Sequence, residues 1–318
     1  MRRNNYFIML FKALFFSMII LTTSSARAEL KVVTTIKPLY SLVANVMDGV
    51  GEPSLIIEGS TSPHSFTLKP SHAKLLEEAD LIFWIGEGME TFMEGPLESL
   101  AKKAEVVEFM KVESIEKLKF REESIFAEHD DHGDHDDHDD HDDHDDHGHA
   151  HGEFDAHIWL DPMNAKEMVH EIAHELSHLD PANKDKYEAN AEATIKALDE
   201  LMNDVSQNIN KDAKFVVFHD AYQYFEERFG VRAAGALTLN TDVLPGAKQV
   251  ADIQDVIKDK GINCIFSEPQ FNPKIISTIA EDTNIKTGVF DPLGANITSD
   301  KELYFKLISN LSNQLKDC

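Results

Sequence analysis

Hydrophobic and polar positions alternate in blocks along this chain, and the blocks indicate a repeated order of strand and helix. Apolar or β-branched runs in the first third read as strands. The segments between them, such as 38–47 and 70–79, have helical spacing. Runs that are apolar along their whole length are typical of parallel strands covered on both faces, so the pattern predicts an α/β fold. The predicted strands are 30–36, 54–59, 81–86 and 104–109.

A long amphipathic helix is predicted over residues 181–210. Apolar residues recur there at steps of three and four from Tyr187 to Ile209, with charged and amide residues between them. The helical stretch 182–210 would be about 43 Å long at 1.5 Å per residue, which is longer than a crossover helix needs to be. We interpret it as a rigid connector between two halves of the protein.

The second half of the chain repeats the order of the first. Residues 214–231 resemble residues 31–50, because each has a β-branched strand, a polar turn, a helix and then glycine. The segments 261–270 and 286–294 supply further strand ends. The sequence therefore predicts two similar α/β lobes, each a mostly parallel sheet flanked by helices, joined by one long connector helix. The predicted divisions are an N-terminal lobe over 29–180, the connector over 181–210 and a C-terminal lobe over 211–318.

Residues 1–28 have the pattern of a secretory signal peptide. Arg2 and Arg3 give a basic start, an apolar run follows, and Ala26 and Ala28 form the small-x-small pattern that a signal peptidase cuts. We expect cleavage after Ala28 and export to the periplasm. The alternative is a retained membrane anchor, but a lysine interrupts the apolar stretch.

Composition narrows the possible partners. The 318 residues include 57 Asp and Glu against 30 Lys and Arg, a formal net charge of −27. Such a chain lacks the basic face that nucleic acids or anionic lipid surfaces require. Only two cysteines occur, which excludes a thiolate zinc cluster, whereas the sixteen histidines point to metal binding.

Nine of the histidines lie in a tract of histidine and aspartate inside the segment 128–153. The tract has no apolar residue larger than alanine, so we expect a disordered loop. Imidazole and carboxylate groups in such density predict a secondary Zn²⁺ site, weaker than a preformed one. A general metal buffer that acts through this tract is therefore an alternative function. Its histidines are His129, His132, His135, His138, His141, His144, His147, His149 and His151.

The segment His170-Glu171-Ile172-Ala173-His174 matches the H-E-x-x-H signature of zinc hydrolases, and His178 follows one turn later. A hydrolase would need Glu171 as a general base and a third metal ligand further on. The downstream spacing of known zinc proteases is missing, and the pattern predicts a short helix that ends at Leu179. We therefore interpret the three histidines as an exposed stripe and keep the hydrolase as an alternative.

Four histidines remain, and three of them lie where strand-like segments give way to turns. These are His64 in SPHSF, His157 in DAHIWLDP and His219 in VVFHDAY, while His72 is interpreted as a surface residue. Asp291 in VFDPLG is another polar residue at a predicted strand end. Ligands of open α/β folds gather at the carboxyl ends of strands, so these positions are candidate metal ligands.

The mature sequence resembles the metal-binding receptors of ABC importers, and within them the zinc-specific, ZnuA-type family. The resemblance runs in order through SPHSFTLKPS, the His/Asp tract, DAHIWLDPMNA, FVVFHDAYQYFEERFG, FSEPQFNPK and FDPLG. It implies a binding protein that is not an enzyme and that carries Zn²⁺ to a membrane permease with its ATPase. We expect a monomer.

The resemblance also implies residue roles. It makes His64, His157 and His219 metal ligands, and manganese-type relatives carry glutamate where His219 stands. Asp291 matches an acidic residue that is a fourth ligand or lies next to it. Some relatives place a glutamate before the first histidine, where this chain has Pro63, so Asp291 and water remain alternatives for the fourth position. A disulfide between Cys264 and Cys318 is implied as well.

Overall fold

The computed structural model describes residues 30–126, 153–239, 241, 245–283, 285–316 and 318. The predicted signal peptide and all nine tract histidines lie outside these residues, so the expectations about them remain predictions. Within the described ranges, no helix has both the length and the apolar character needed to cross a membrane.

The first lobe is built on a sheet of four parallel strands. Its order is β2-β1-β3-β4, and Val33 of the inner strand β1 lies opposite Ser54 of β2 and Ile82 of β3. Strands β1 and β3 are buried along their whole length, which explains their uninterrupted apolar character. The elements are β1 (Val32–Thr34), α1 (Lys37–Val46), β2 (Ser54–Leu55), α2 (Pro70–Glu78), β3 (Leu81–Trp84), α3 (Glu94–Ser99) and β4 (Glu105–Glu108).

The second lobe repeats this topology. Its four parallel strands have the order β6-β5-β7-β8, the counterpart of the first sheet, which confirms the prediction of two similar α/β lobes. Strand β6 was not predicted, because three residues of mixed character give too short a pattern. The elements are β5 (Phe215–His219), α6 (Gln223–Phe229), β6 (Ala236–Thr238), α7 (Ala247–Asp259), β7 (Cys264–Ser267), α8 (Lys274–Thr283) and β8 (Lys286–Val289).

Two long helices lie between the two sheets in chain order, and the second of them is the connector. Helix α4 (Pro162–Leu179) begins where the Asp161 side chain accepts a hydrogen bond from the Met163 N–H at 2.8 Å, and Pro162 occupies its first turn. Its 18 residues correct the expectation of a short helix, although it ends at Leu179 as predicted. Helix α5 (Lys184–Asn208) lies within the predicted connector and packs its apolar side against α4.

The C-terminal segment returns to the first lobe. Helix α9 (Leu303–Leu315) packs against α1 and α5, and the Tyr304 hydroxyl donates to the Trp159 carbonyl at 2.7 Å. The indole N–H of Trp159 in turn donates to the Pro292 carbonyl at 2.8 Å. The buried Lys37 ammonium donates to three carbonyls of the same segment, so hydrogen bonds hold this segment to the first lobe. Those carbonyls belong to Gly294, Ala295 and Ile297.

The segment just before the histidine tract extends from the first lobe to the second sheet. Ile125 forms an antiparallel bridge with Gly235, and the Ala236 N–H donates to the Ser124 carbonyl at 2.8 Å. A Cβ atom at position 235 would lie 2.7 Å from that same carbonyl oxygen, so the close approach requires glycine. The first half thereby pairs with the edge strand of the second sheet and brings Arg121 to the interlobe cleft.

Candidate metal centre

Three imidazole rings meet between the lobes. The ring centroids of His157 and His219 are 4.9 Å apart, and the His64 ring lies 5.5 Å and 5.6 Å from them. One nitrogen of each ring lies within 4.8 Å of the corresponding atoms of the other two. Nitrogens bound tetrahedrally to one Zn²⁺ are about 3.4 Å apart, so small ring movements would bring all three onto a single ion.

Different local structures position the three rings. His219 is the last residue of β5, the fully buried inner strand of its sheet. His64 lies in a single 3₁₀ turn, Pro63–Ser65, and the Ser62 hydroxyl caps the turn by accepting the His64 N–H. His157 precedes a second 3₁₀ turn, Ile158–Leu160. His157 and His219 are buried and His64 is half-buried, so His64 is the most accessible of the three.

A buried carboxylate fixes the His157 ring. The Asp155 Oδ1 atom lies 2.6 Å from His157 Nδ1 and also accepts the His157 backbone N–H at 2.9 Å. Its Oδ2 atom accepts a hydrogen bond from Gln223 Nε2 at 2.7 Å, and the Tyr224 hydroxyl donates to its backbone carbonyl at 2.6 Å. With Nδ1 held as the donor to Asp155, the Nε2 atom of His157 is the one free to bind a metal.

His219 has a similar arrangement on the other lobe. The Oε2 atom of Glu268, a buried residue just after β7, lies 3.4 Å from His219 Nδ1. Burial lowers the pKa of His219, but the charge and hydrogen bond of Glu268 raise it more, so the net shift is upward. The carboxylate therefore orients the ring and strengthens its basicity, as in the histidine–carboxylate pairs of zinc sites.

Sequence reasoning missed both of these carboxylates. Asp155 and Glu268 lie inside the quoted motifs DAHIWLDP and FSEPQFNPK, but neither was singled out. Strand position offers a signal for Glu268, because β7 is adjacent to β5 and both strands end at the same edge of the sheet. No comparable signal identifies Asp155, because its contact depends on a turn with no regular pattern.

The structure does not bring Asp291 into the histidine group. Its Oδ1 atom accepts the backbone N–H groups of Leu293 and Gly294 and a side-chain hydrogen bond from Gln270. Its Oδ2 atom accepts the Ala295 N–H at 2.6 Å. Among the described residues, the candidate metal cluster consists of the three histidines alone. The carboxylate of Asp291 therefore stabilises the loop after β8.

An Arg121-centred ion network lies beside the histidines. The Arg121 guanidinium donates to Asp220 at 2.8 Å and to Glu226 at 2.7 Å, and it stacks over the Phe126 ring at 4.1 Å. Burial raises the pKa of Asp220 to about 7 although Arg121 opposes the shift. Because Asp220 directly follows His219, the network fixes the backbone at the end of β5.

The histidine group opens into a cavity of about 190 Å³ between the lobes. This volume suits a hydrated metal ion and a few waters. A narrower recess behind it reaches Glu268 and Trp159. The cavity is lined by His64, Gly88, Phe120, Arg121, Ala156, His157, His219, Asp220, Leu239 and Thr241.

The remaining candidate histidines lie elsewhere. His170, His174 and His178 are exposed on α4, which confirms the prediction of a surface stripe. His72 corrects the surface interpretation, because it is half-buried, stacks on Phe66 at 5.4 Å and accepts the Lys69 N–H through Nδ1.

A disulfide joins Cys264 and Cys318, with their Cα atoms 5.6 Å apart. It agrees with the pairing that the family resemblance implied. The bond ties strand β7 to the end of the chain after α9, and so fixes the C-terminus to the second sheet.

Comparisons with known proteins find similarity along nearly the whole chain. The family model described as "ZnuA: Zinc-uptake complex component A periplasmic" matches residues 32–318. The "High-affinity zinc uptake system protein ZnuA" of Brucella abortus (strain 2308) is 48% identical over 303 residues, which cover 90% of this chain and 91% of that protein. The protein of the same name from Yersinia pestis is 35% identical over 316 residues, 96% of each chain.

A solved structure shares the fold. The "Crystal structure of ZnuA" superposes with a TM-score of 0.72 at 23% identity and covers 90% of this chain and 98% of its own. The two chains therefore share the two-lobed fold. Together with the match over nearly the whole length, this shows that the chain belongs to the ZnuA family of periplasmic zinc-uptake components.

Proposed function

We propose that this protein captures Zn²⁺ with high affinity in the periplasm and delivers it to an ABC-type zinc importer. The observation that carries the proposal is the convergence of His64, His157 and His219 from both lobes on one cleft. The names of the relatives from Brucella abortus and Yersinia pestis support the same function.

In this proposal the three imidazoles bind the ion within the cleft, and a water molecule is the fourth ligand of a tetrahedral site. Water fits the fourth position, because among the described residues no carboxylate joins the three histidines in the candidate metal cluster. Asp291 was the alternative, but its oxygens accept four hydrogen bonds in the loop after β8. Three nitrogen ligands favour Zn²⁺ over the harder ions Mg²⁺, Ca²⁺ and Mn²⁺, which prefer oxygen.

Capture and release involve small movements. The connector α5 and the hydrogen bonds of Lys37 and Trp159 across the lobes resist wide hinge opening. The half-buried His64 lies on a single turn, whereas His157 and His219 are held by buried carboxylates. We infer that His64 approaches the ion last and leaves it first.

We extend the proposal to the location and the partners of the protein. The chain is exported, its signal peptide is cleaved after Ala28, and it acts as a monomer. Its partners are the membrane permease and the ATPase of the importer. The nine tract histidines gather Zn²⁺ more weakly than the cleft. The protein is a receptor without catalytic activity.

Metal titration against a competing chelator tests this function. The full chain with all nine tract histidines replaced by asparagine should keep one tightly bound Zn²⁺. Replacing His64, His157 or His219 by alanine in that background should weaken binding at least about tenfold, since each removes one of three protein ligands. His72→Ala is the control, because His72 lies outside the group.

The alternatives give different results. Loss of all tight binding when the tract histidines are replaced would indicate a metal buffer and contradict the cleft receptor. Hydrolysis of casein that disappears in Glu171→Ala would indicate a zinc hydrolase.

A further inference from the structure

Helix α4 carries a four-residue repeat that the cleft does not use. The sequence from Glu167 to His178 reads EMVHEIAHELSH, so Glu-x-x-His occurs three times in succession. Neighbouring histidines are four residues apart and each has a glutamate three residues before it. In a helix these spacings place the side chains next to one another on one face, one turn apart.

The structure puts this histidine row on the outside of the protein. His170, His174 and His178 are exposed, and the side chain of His174 is 73% accessible. The glutamates are half-buried beside the row. The opposite side of α4 faces the core through Met168, Val169, Ile172 and Leu176. The imidazoles are thus free of packing constraints and can turn toward each other.

We propose that the exposed row on α4 is a second metal site, in which two overlapping pairs of imidazoles, His170 with His174 and His174 with His178, chelate one borderline divalent cation such as Zn²⁺. Nitrogen ligands one helical turn apart are the arrangement that an i, i+4 histidine pair offers to zinc. His170 and His178 are separated by about 12 Å along the helix, which is too far for them to share an ion. Both pairs therefore depend on His174.

Nearby carboxylates favour a cation at this place. The Glu175 carboxylate lies 3.7 Å from His174 Nε2. Glu167 and Glu171 add two further carboxylates beside the row. Their negative charges would attract a dication.

The site differs from that of a zinc hydrolase. Among the described residues, the cluster of three or more potential ligands is the cleft group, so the row has no third protein ligand in place. The two histidines that flank Glu171 are exposed on the helix surface, whereas a hydrolase encloses its metal and substrate. Open positions on the ion would be filled by water. We expect binding that is much weaker than in the cleft and independent of the cleft.

Calorimetric titration with Zn²⁺ tests the proposal, using the full chain with the nine tract histidines replaced by asparagine. A second, weaker binding event should be present beside that of the cleft. His170→Ala and His178→Ala each remove one of two equivalent pairs, so each should lower the association constant of the weaker event about twofold. His174→Ala removes both pairs and should lower that constant more than about tenfold. The double variant His170→Ala/His178→Ala should behave like His174→Ala, because it keeps one histidine without a partner.

Each other outcome overturns the proposal. If the weaker binding event is missing, or if it is unchanged in His174→Ala, the histidine row of α4 does not bind metal. An equal loss in all three single variants would contradict overlapping pairs. The side chains are exposed, so the variants should fold normally, which thermal unfolding checks. If the cleft proposal fails, the tight event disappears while the weak event and its dependence on His174 remain.

Discussion

The Nδ1 atom of His157 lies 2.6 Å from the Oδ1 atom of Asp155, a fully buried carboxylate two residues earlier in the chain. This contact determines which ring nitrogen faces the cleft. A metal site depends on such orientation as much as on the ligand itself, because a misdirected ring must reorganise before it can bind.

Replacing Asp155 with asparagine tests this relationship. The variant removes the negative charge that orients the ring, so Zn²⁺ affinity should fall about 10–100-fold. Chelator competition measures the affinity, and urea unfolding checks that the fold is kept. Glu153→Gln is the control, because Glu153 is exposed and forms a surface ion pair with Lys119. Equal affinities of Asp155→Asn and the native chain would contradict the role of the carboxylate.

Arg121 neutralises two buried carboxylates, those of Asp220 and Glu226. Arg121→Met would leave both of them without this partner, so the free energy of unfolding should fall by about 3–5 kcal/mol. Urea denaturation of the metal-free protein measures the loss. The control is Lys248→Met, which breaks an exposed ion pair with Asp252 and should cost less than about 1 kcal/mol. Similar losses in the two variants would show that the Arg121 network is not stabilising.

Glu90 is a buried acid that should make stability depend on pH. Its carboxylate accepts hydrogen bonds from the Thr35 hydroxyl at 2.5 Å and the Gly86 N–H at 3.0 Å, yet burial outweighs them and raises its pKa to about 7 from 4.5. Between these values the folded state binds more protons than the unfolded state, so the Glu90 contribution becomes less favourable as pH rises.

The Glu90→Gln variant isolates this contribution. The unfolding free energy of the native chain minus that of the variant should decrease by about 3 kcal/mol between pH 4 and pH 8. Urea titrations of the metal-free proteins at several pH values measure the difference. Glu94→Gln is the control, because Glu94 is exposed and lies outside the contacts of Glu90. A Glu90 difference that rises with pH, or stays constant, would contradict the raised pKa.

The disulfide between Cys264 and Cys318 closes a loop across the second lobe. Replacing both cysteines with serine should lower the free energy of unfolding by about 4 kcal/mol, because the unfolded chain regains the entropy of the open loop. Urea denaturation measures the loss. Dithiothreitol should destabilise the native chain by a similar amount and leave the double variant unchanged. Equal stability of the native chain with and without reductant would contradict the prediction.

Much of the architecture could be predicted from local pattern. The apolar runs marked strands β1, β3 and β5, because strands buried on both faces need apolar residues at every position. The edge strand β4 was marked by its two valines alone. The boundaries were too wide, since apolar character continues into the turns. Strand β6 escaped prediction because its three residues owe their place to pairing with β5 and with the segment that contains Ile125.

The candidate site could be predicted in part. His64, His157 and His219 could be nominated because polar residues after apolar strands gather at one sheet edge, and the fold does bring them together. Asp291 has the same sequence signal, but its carboxylate accepts hydrogen bonds from backbone N–H groups of its own loop. A polar strand end predicts a place in the fold and leaves the direction of the side chain undetermined.

The sequence alone determined the two α/β lobes, the long connector and the histidines available for metal, because these depend on local periodicity and residue chemistry. Tertiary structure decided which groups meet. It placed Asp155 against the His157 ring and Glu268 against the His219 ring. It directed the Asp291 carboxylate to N–H groups of its own loop and left the histidine row of α4 exposed. Glu268 meets His219 across 49 positions of the chain, and the three imidazoles meet only when the lobes pack together. The contacts of Asp155 and Asp291 are local, but they depend on turns that follow no regular sequence pattern.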